Sequence, residues 1–291
     1  MSNTAVYRLT SIFLAFISVF CYVFGGVTVP HGEKLDLSGF DLVWSDEFDG
    51  DRLDETKWGG HYVKDGQTNV RKGGYWNKEL ASVSDGCLRV STKYLENGVD
   101  GNGPSGWYSY ALDTKNHYEQ TYGYFETRCI LPKGSGLWSA FWILCDSMTD
   151  VTNGGINGAE IDVFESCFYS LKNGKFKNSV ASTIHIDGYD EAHKAKNICN
   201  SLVYASNPYE EFNTYGVEWN QSEYIFYING IEAGRSDFGG ASQVPEYLIL
   251  SVEVGGENGK PEESWVGESI EADGNEITDF VVDYVRAYQY K

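Results

Sequence analysis

Three carboxylates stand inside one apolar run, Gly158-Ala159-Glu160-Ile161-Asp162-Val163-Phe164-Glu165-Ser166. Burying an ionised carboxylate without a partner is costly, so acids set among Ile, Val and Phe imply either a solvated acidic strand face or a site that uses them. Two carboxylates about 5–5.5 Å apart are the machinery of a retaining glycosidase. In that scheme Glu160 is the nucleophile at the anomeric carbon, and Glu165 protonates the departing oxygen and then activates water. Asp162, between them, hydrogen-bonds the nucleophile and makes the local field more negative. Crowding raises the cost of ionising all three, so Glu165 can keep its proton near neutral pH.

Those roles demand a particular strand. Regular alternation puts Glu160, Asp162 and Phe164 on one face and leaves Glu165 on the other with Ile161 and Val163. A bulge at Val163-Phe164 slips the parity by one and returns Glu165 to the face of the other two acids. The run Leu137-Trp138-Ser139-Ala140-Phe141-Trp142-Ile143-Leu144 carries two tryptophans of equal parity. They either line a groove beside the acids or pack in the core. Strand-like runs recur at 42–44, 87–92, 122–131, 180–186, 215–219, 224–228, 247–252 and 280–288, and Asn229-Gly230 is a hairpin turn signal. With no sustained helical period, this order predicts an all-β fold, a two-sheet sandwich or jelly roll. The loops Glu96 to Ser105 and Gly255 to Asp273 are expected to rim a cleft.

Residues 1–26 read as a signal peptide or N-terminal anchor: Arg8 is followed by an apolar run from Leu9 to Phe24 and then Gly25-Gly26. Secretion is the expectation, with tethering by an uncleaved segment as the alternative, and the remainder reads as one large domain. Removal of the leader with Cys21 leaves Cys87, Cys129, Cys145, Cys167 and Cys199, an odd number without metal-site spacing, so no disulfide framework is expected. The formal charge of −20 argues against nucleic acid or an anionic membrane surface as partner, and weighs mildly against a sulfated polysaccharide. Aromatic residues make up 15% of the chain, which suits stacking on the apolar faces of neutral sugars. No obligate protein partner is evident.

The segment Glu160-Ile161-Asp162-Val163-Phe164-Glu165 resembles the active-site signature of glycoside hydrolase family 16, in the longer, bulged form of laminarinases, agarases and carrageenases. The resemblance extends through Trp44-Ser45-Asp46-Glu47-Phe48-Asp49-Gly50, residues 122–128, residues 134–142 and the closing 282–288, and so covers about residues 38–291. It implies a β-jelly roll with a concave cleft, retention of configuration, and endo-cleavage of β-1,3- or mixed β-1,3/1,4-glucan. An agarase-like hydrolase and a non-catalytic β-glucan-binding module are the alternatives; the module is disfavoured because both glutamates are present. The resemblance assigns nucleophile, assisting acid and acid/base to Glu160, Asp162 and Glu165, cleft tryptophans to Trp138 and Trp142, and further subsites to Trp107, His185 and Trp265. Ser109-Tyr110-Ala111 departs from the pattern, which carries a sugar-binding arginine there. No cofactor is implied for catalysis. A structural calcium would draw on Glu47, Gly86 and Asp283.

Overall fold

The computed structural model describes residues 27–63, 67–150, 153–167, 178–198, 202–270 and 276–291. The expected leader and Cys199 lie outside them. Two large sheets are stacked face to face. The nine-stranded sheet runs Val27–Thr28, Leu202–Tyr204, Ser179–Ile186, Glu160–Cys167, Leu137–Leu144, Tyr247–Val254, Ala111–Asp113, Gly59–Gly60, with Lys194–Asn197 also paired to Ser179–Ile186. The eight-stranded sheet runs Ile231–Ser236, Tyr224–Ile228, Asn213–Trp219, Gly123–Ile130, Phe280–Tyr290, Cys87–Val90, Ala81–Ser84, with Phe40–Asp46 added to Phe280–Tyr290. This is the jelly-roll sandwich expected from the strand pattern. Val27–Thr28 pairs with Leu202–Val203, so ordered structure begins ahead of residue 38.

The core lies between the sheets. Phe141, Phe164 and Leu250 from the larger sheet meet Phe125, Tyr215, Val217 and Phe226 from the smaller one, all essentially without solvent contact. The Phe164 ring packs 4.5 Å from Tyr215 and 6.3 Å from Phe280, centroid to centroid. Side chains of this size contribute roughly 1.5–3 kcal/mol each on burial. Asn229 and Gly230 close the hairpin between Ile228 and Ile231 with φ of 50° and 70°, the positive values such a turn requires. Cys87, Cys129 and Cys145 are free thiols, and all three are buried, as is Cys167.

One loop expectation is revised and the other is met in part. Residues 96–105 connect Lys93–Leu95 to Gly106–Ser109 within a separate four-stranded sheet and stay away from the cleft, because the two strands pair directly. In the loop from Gly255, residues Gly256–Glu257 and Lys260–Pro261 form a small ribbon, and Trp265 reaches the cleft.

Candidate active site

The outer face of the larger sheet is concave and bears a cleft of about 740 Å³. The acid strand Glu160–Cys167 lies near its middle. Opposite it, Phe141 pairs with Phe164 and Trp142 with Asp162, so Val163 is the extra residue. On the other side the register slips between Asp162, paired with Thr183, and Glu165, paired with Ala181. A bulge therefore sits where the chemistry required one. Ile161, Val163 and Phe164 all join the core, and Ser182 Oγ donates to the displaced Val163 carbonyl at 2.8 Å. Glu160, Asp162 and Glu165 are left together on the cleft face.

Gly158 shapes the entrance to this strand. It sits at φ 136°, and a Cβ there would lie 2.3 Å from Cys145 Sγ. The next residue, Ala159, donates its N–H to Glu246 Oε1 at 3.0 Å, tying the residue just ahead of the acid strand to a fully buried carboxyl.

Burial acts on two of the acids in the same direction. Burial pushes Asp162 well above the ordinary carboxylate range, and the neighbouring Glu160 adds to it. Burial does the same to Glu165, helped by Asp162, while His185 opposes it. An acid that keeps its proton is what leaving-group protonation needs. His185 Nε2 lies 3.1 Å from Asp162 Oδ2 and 3.9 Å from Glu160 Oε1, and its Nδ1 shares a hydrogen bond of 2.8 Å with His193 Nε2. Tyr189 donates its hydroxyl to Glu160 Oε2.

The floor follows from strand register. Ala140 pairs with both Glu165 and Ser251, flanked two residues away by Trp138 and Trp142. A small side chain between two indoles leaves space beside Glu165 for a sugar ring. Trp142 is held by a 3.2 Å bond from its Nε1 to Ser251 Oγ and by the edge of His61, whose Nδ1 lies 2.7 Å from Asp113 Oδ2. Trp138 meets Trp265 edge to face at 4.7 Å, and Trp265 is 56% exposed. Trp138, Trp142, His185 and Trp265 thus stand at the cleft beside the acids.

Trp107 does not. It is buried among Leu137, Val254 and Ile270 in a side cluster, because its strand turns the indole toward that apolar pocket. The calcium residues do not fit a cation site as placed. Both Glu47 oxygens accept from Arg286, at 2.9 and 2.7 Å, Asp283 is paired with Arg128, and Gly86 lies in a turn at φ 70°. Among the described residues, the grouping of ligand-type side chains with atoms within 4.8 Å of one another is Glu160, Asp162 and His185, all of which line the cleft.

Several cleft residues escaped sequence reasoning. Glu253, buried, accepts from Arg71 Nη2 at 2.9 Å, and the Arg71 guanidinium lies 5.0 Å above the Trp76 ring. An arginine therefore does line the cleft, from the hairpin of Asn69–Arg71 and Gly74–Trp76 rather than from residues 109–111. Gly73 lets that hairpin approach, since a Cβ would lie 2.1 Å from the Gly255 carbonyl. Glu253 was detectable as an acid in the apolar strand Tyr247–Val254; Tyr62, Arg71, Tyr189 and His193 lie outside any periodic pattern.

Comparison with known proteins agrees with this geometry. The family model described as "Beta-porphyranase A-D, GH16 domain" matches residues 42–290. The chain is 31% identical over 212 residues to an endo-1,3-1,4-β-glycanase, ExsH, of Rhizobium meliloti, covering 71% of this chain and 39% of that protein. It is 26% identical over 279 residues to glucan endo-1,3-β-glucosidase A1 of Niallia circulans, covering 87% and 38%. The chain thus spans well under half the length of these curated relatives. The solved structure of SCLam, a non-specific endo-β-1,3(4)-glucanase, superposes with a TM-score of 0.68 at 26% identity, covering 91% of this chain and 97% of that one. A bulged acid strand on a jelly-roll cleft, matched by the family model over almost the whole described fold, places the chain in glycoside hydrolase family 16.

Proposed function

We propose that this chain is an endo-acting, retaining β-glycan hydrolase whose substrate is β-1,3- or mixed β-1,3/1,4-glucan. The observation that carries the reading is the bulge at Val163, which brings Glu165 onto the face of Glu160 and Asp162. In the first step Glu160 attacks the anomeric carbon while Glu165 passes its proton to the leaving oxygen. In the second, Glu165 takes a proton from water, whose oxygen displaces Glu160. Asp162, and His185 at 3.1 Å from it and 3.9 Å from Glu160, set the electrostatic field around the nucleophile. The tryptophans receive sugar faces on either side of the cleavage point. Support for glucan comes from the names of the relatives, and from a solved relative at 26% identity holding a β-1,3-linked glucan oligosaccharide at its active site. A polymeric substrate suits export, as the leader sequence suggests.

A second reading, a sulfated or agar-type galactan, is favoured by the family model's description and by Arg71 and Lys72 at the cleft. The chain's overall charge of −20 opposes an anionic polymer only at long range, where salt screens it, whereas a cation in the cleft acts locally. Product profiling of the purified protein on laminarin, barley glucan, agarose and porphyran separates the two. Short laminari-oligosaccharides establish the first reading, and activity confined to agarose or porphyran establishes the second. Glu160→Gln must abolish hydrolysis in either case. Undiminished activity in that variant refutes the mechanism.

A further inference from the structure

The hairpin joining Ser179–Ile186 to Lys194–Asn197 carries residues 187–193 over the carboxylates. Its base is fixed by the Ile186–Lys194 pair and by Lys194 Nζ on Asp187 Oδ2 at 2.8 Å. Asp187 and Gly188, at φ of 63° and 75°, turn the chain, and Gly188 N donates to the Met148 carbonyl at 2.9 Å. His193, at the far end, is joined to His185. Between these anchors stands Tyr189, 53% exposed, whose hydroxyl nevertheless reaches inward to Glu160 Oε2. The other oxygen, Oε1, faces His185 Nε2 at 3.9 Å, beyond hydrogen-bond reach.

We propose that Tyr189 is a positioning residue for the nucleophile: its hydroxyl holds Glu160 Oε2 throughout the reaction and so designates Oε1 as the attacking atom. This rests on Glu160 being the nucleophile. As the first step proceeds, an Oε1 lone pair forms the bond to the anomeric carbon. The glycosidic C–O bond breaks toward the leaving oxygen, which takes the Glu165 proton. Oε2 becomes the ester carbonyl and Tyr189 keeps its own proton. In the second step water bonds to the anomeric carbon and yields a proton to Glu165, and the pair in the C–Oε1 bond returns to Glu160. Hydrogen bonds to an ionised acceptor are stronger than those to a neutral carbonyl. Tyr189 therefore assists most where the carboxylate charge reappears, in the departure of Glu160.

The test is Tyr189→Phe beside Glu160→Gln, assayed on laminarin and porphyran, with intact-mass analysis of enzyme quenched during turnover. Loss of one hydroxyl from a half-exposed ring should leave the thermal midpoint unchanged. A fall in kcat of about ten- to a hundredfold is expected. KM should fall with it, a covalent glycosyl-enzyme should accumulate, and the acid limb of kcat/KM should move to higher pH. Wild-type kcat, no adduct and an unmoved acid limb would overturn the proposal. So would a fall in KM alone, which would mark the hydroxyl as a plug displaced by substrate. If Glu160→Gln stays active, or wild type cleaves neither polymer, the underlying reading falls and this one with it. If Glu160→Gln is dead and Tyr189→Phe behaves as wild type, only the role of Tyr189 falls.

Discussion

Replacing Glu246 by Gln should leave stability unchanged in acid and raise it in alkali. Glu246 has no solvent contact; its Oε1 accepts from Ala159 N at 3.0 Å and faces Cys145 Sγ at 3.6 Å, and its Oε2 has no hydrogen-bond partner. The nearby Cys145 thiol and Tyr224 hydroxyl are themselves pushed up, the thiol to about 12, so neither supplies positive charge. Burial moves the carboxyl from 4.5 to about 7. A carboxyl whose folded-state value lies above its unfolded one binds its proton more tightly when folded. Its contribution is therefore complete below about pH 4.5 and is lost as pH rises to about 7. At about 1.4 kcal/mol per pH unit the loss comes to about 3 kcal/mol. Gln keeps the acceptor for Ala159 N and never ionises. Urea unfolding followed by tryptophan fluorescence should show the two proteins within ~0.5 kcal/mol of each other near pH 4. At pH 8.5 the variant should be ahead by about 3 kcal/mol, equivalent to roughly 6–12 °C in Tm for a domain of this size. A difference that is the same at both pH values would refute the reasoning.

Two further outcomes follow from the cleft. Trp265→Ala, at a 56% exposed indole that touches Trp138 by its edge, should raise KM by roughly 5- to 30-fold in steady-state assays, with kcat kept and Tm nearly unchanged. Asp162→Asn removes a neighbour that pushes Glu165 upward, so the alkaline limb of the pH–rate profile should shift to lower pH, with kcat/KM down by roughly a hundredfold or more.

The strands were legible because each alternates or runs apolar over a recognisable length, and Leu137–Leu144 and Tyr224–Ile228 fall where the pattern put them. The three acids were legible for the opposite reason, as groups whose burial needs an explanation. Which face a tryptophan presents was not. Trp107 and Trp138 both stand in aromatic strands; neighbours distant in sequence send one to Val254 and Ile270 and the other to Trp265. Nor was Tyr189, since a tyrosine in a polar turn has no period to betray it. The family resemblance placed calcium ligands at Glu47 and Asp283, yet strand pairing brings Arg286 onto both Glu47 oxygens and Arg128 onto Asp283 Oδ2.

The bulge joins these threads, because packing and chemistry require it for different reasons. Val163 and Phe164 are consecutive and both apolar, and a regular strand would turn one of them into the cleft beside the acids. Placing both in the core forces an extra residue into the register. The Val163 carbonyl that then loses its ladder partner is taken by Ser182 Oγ, itself buried. With that group satisfied, the distortion leaves no unpaired backbone oxygen at Val163. The same one-residue slip carries Glu165 across to Glu160 and Asp162. The apolar pair and the last glutamate are thus one structural statement. Arranging Glu165 for catalysis needs no separate strain at the site, since the driving force is the burial of Phe164 against Tyr215 and Phe280 on the far side of the sheet.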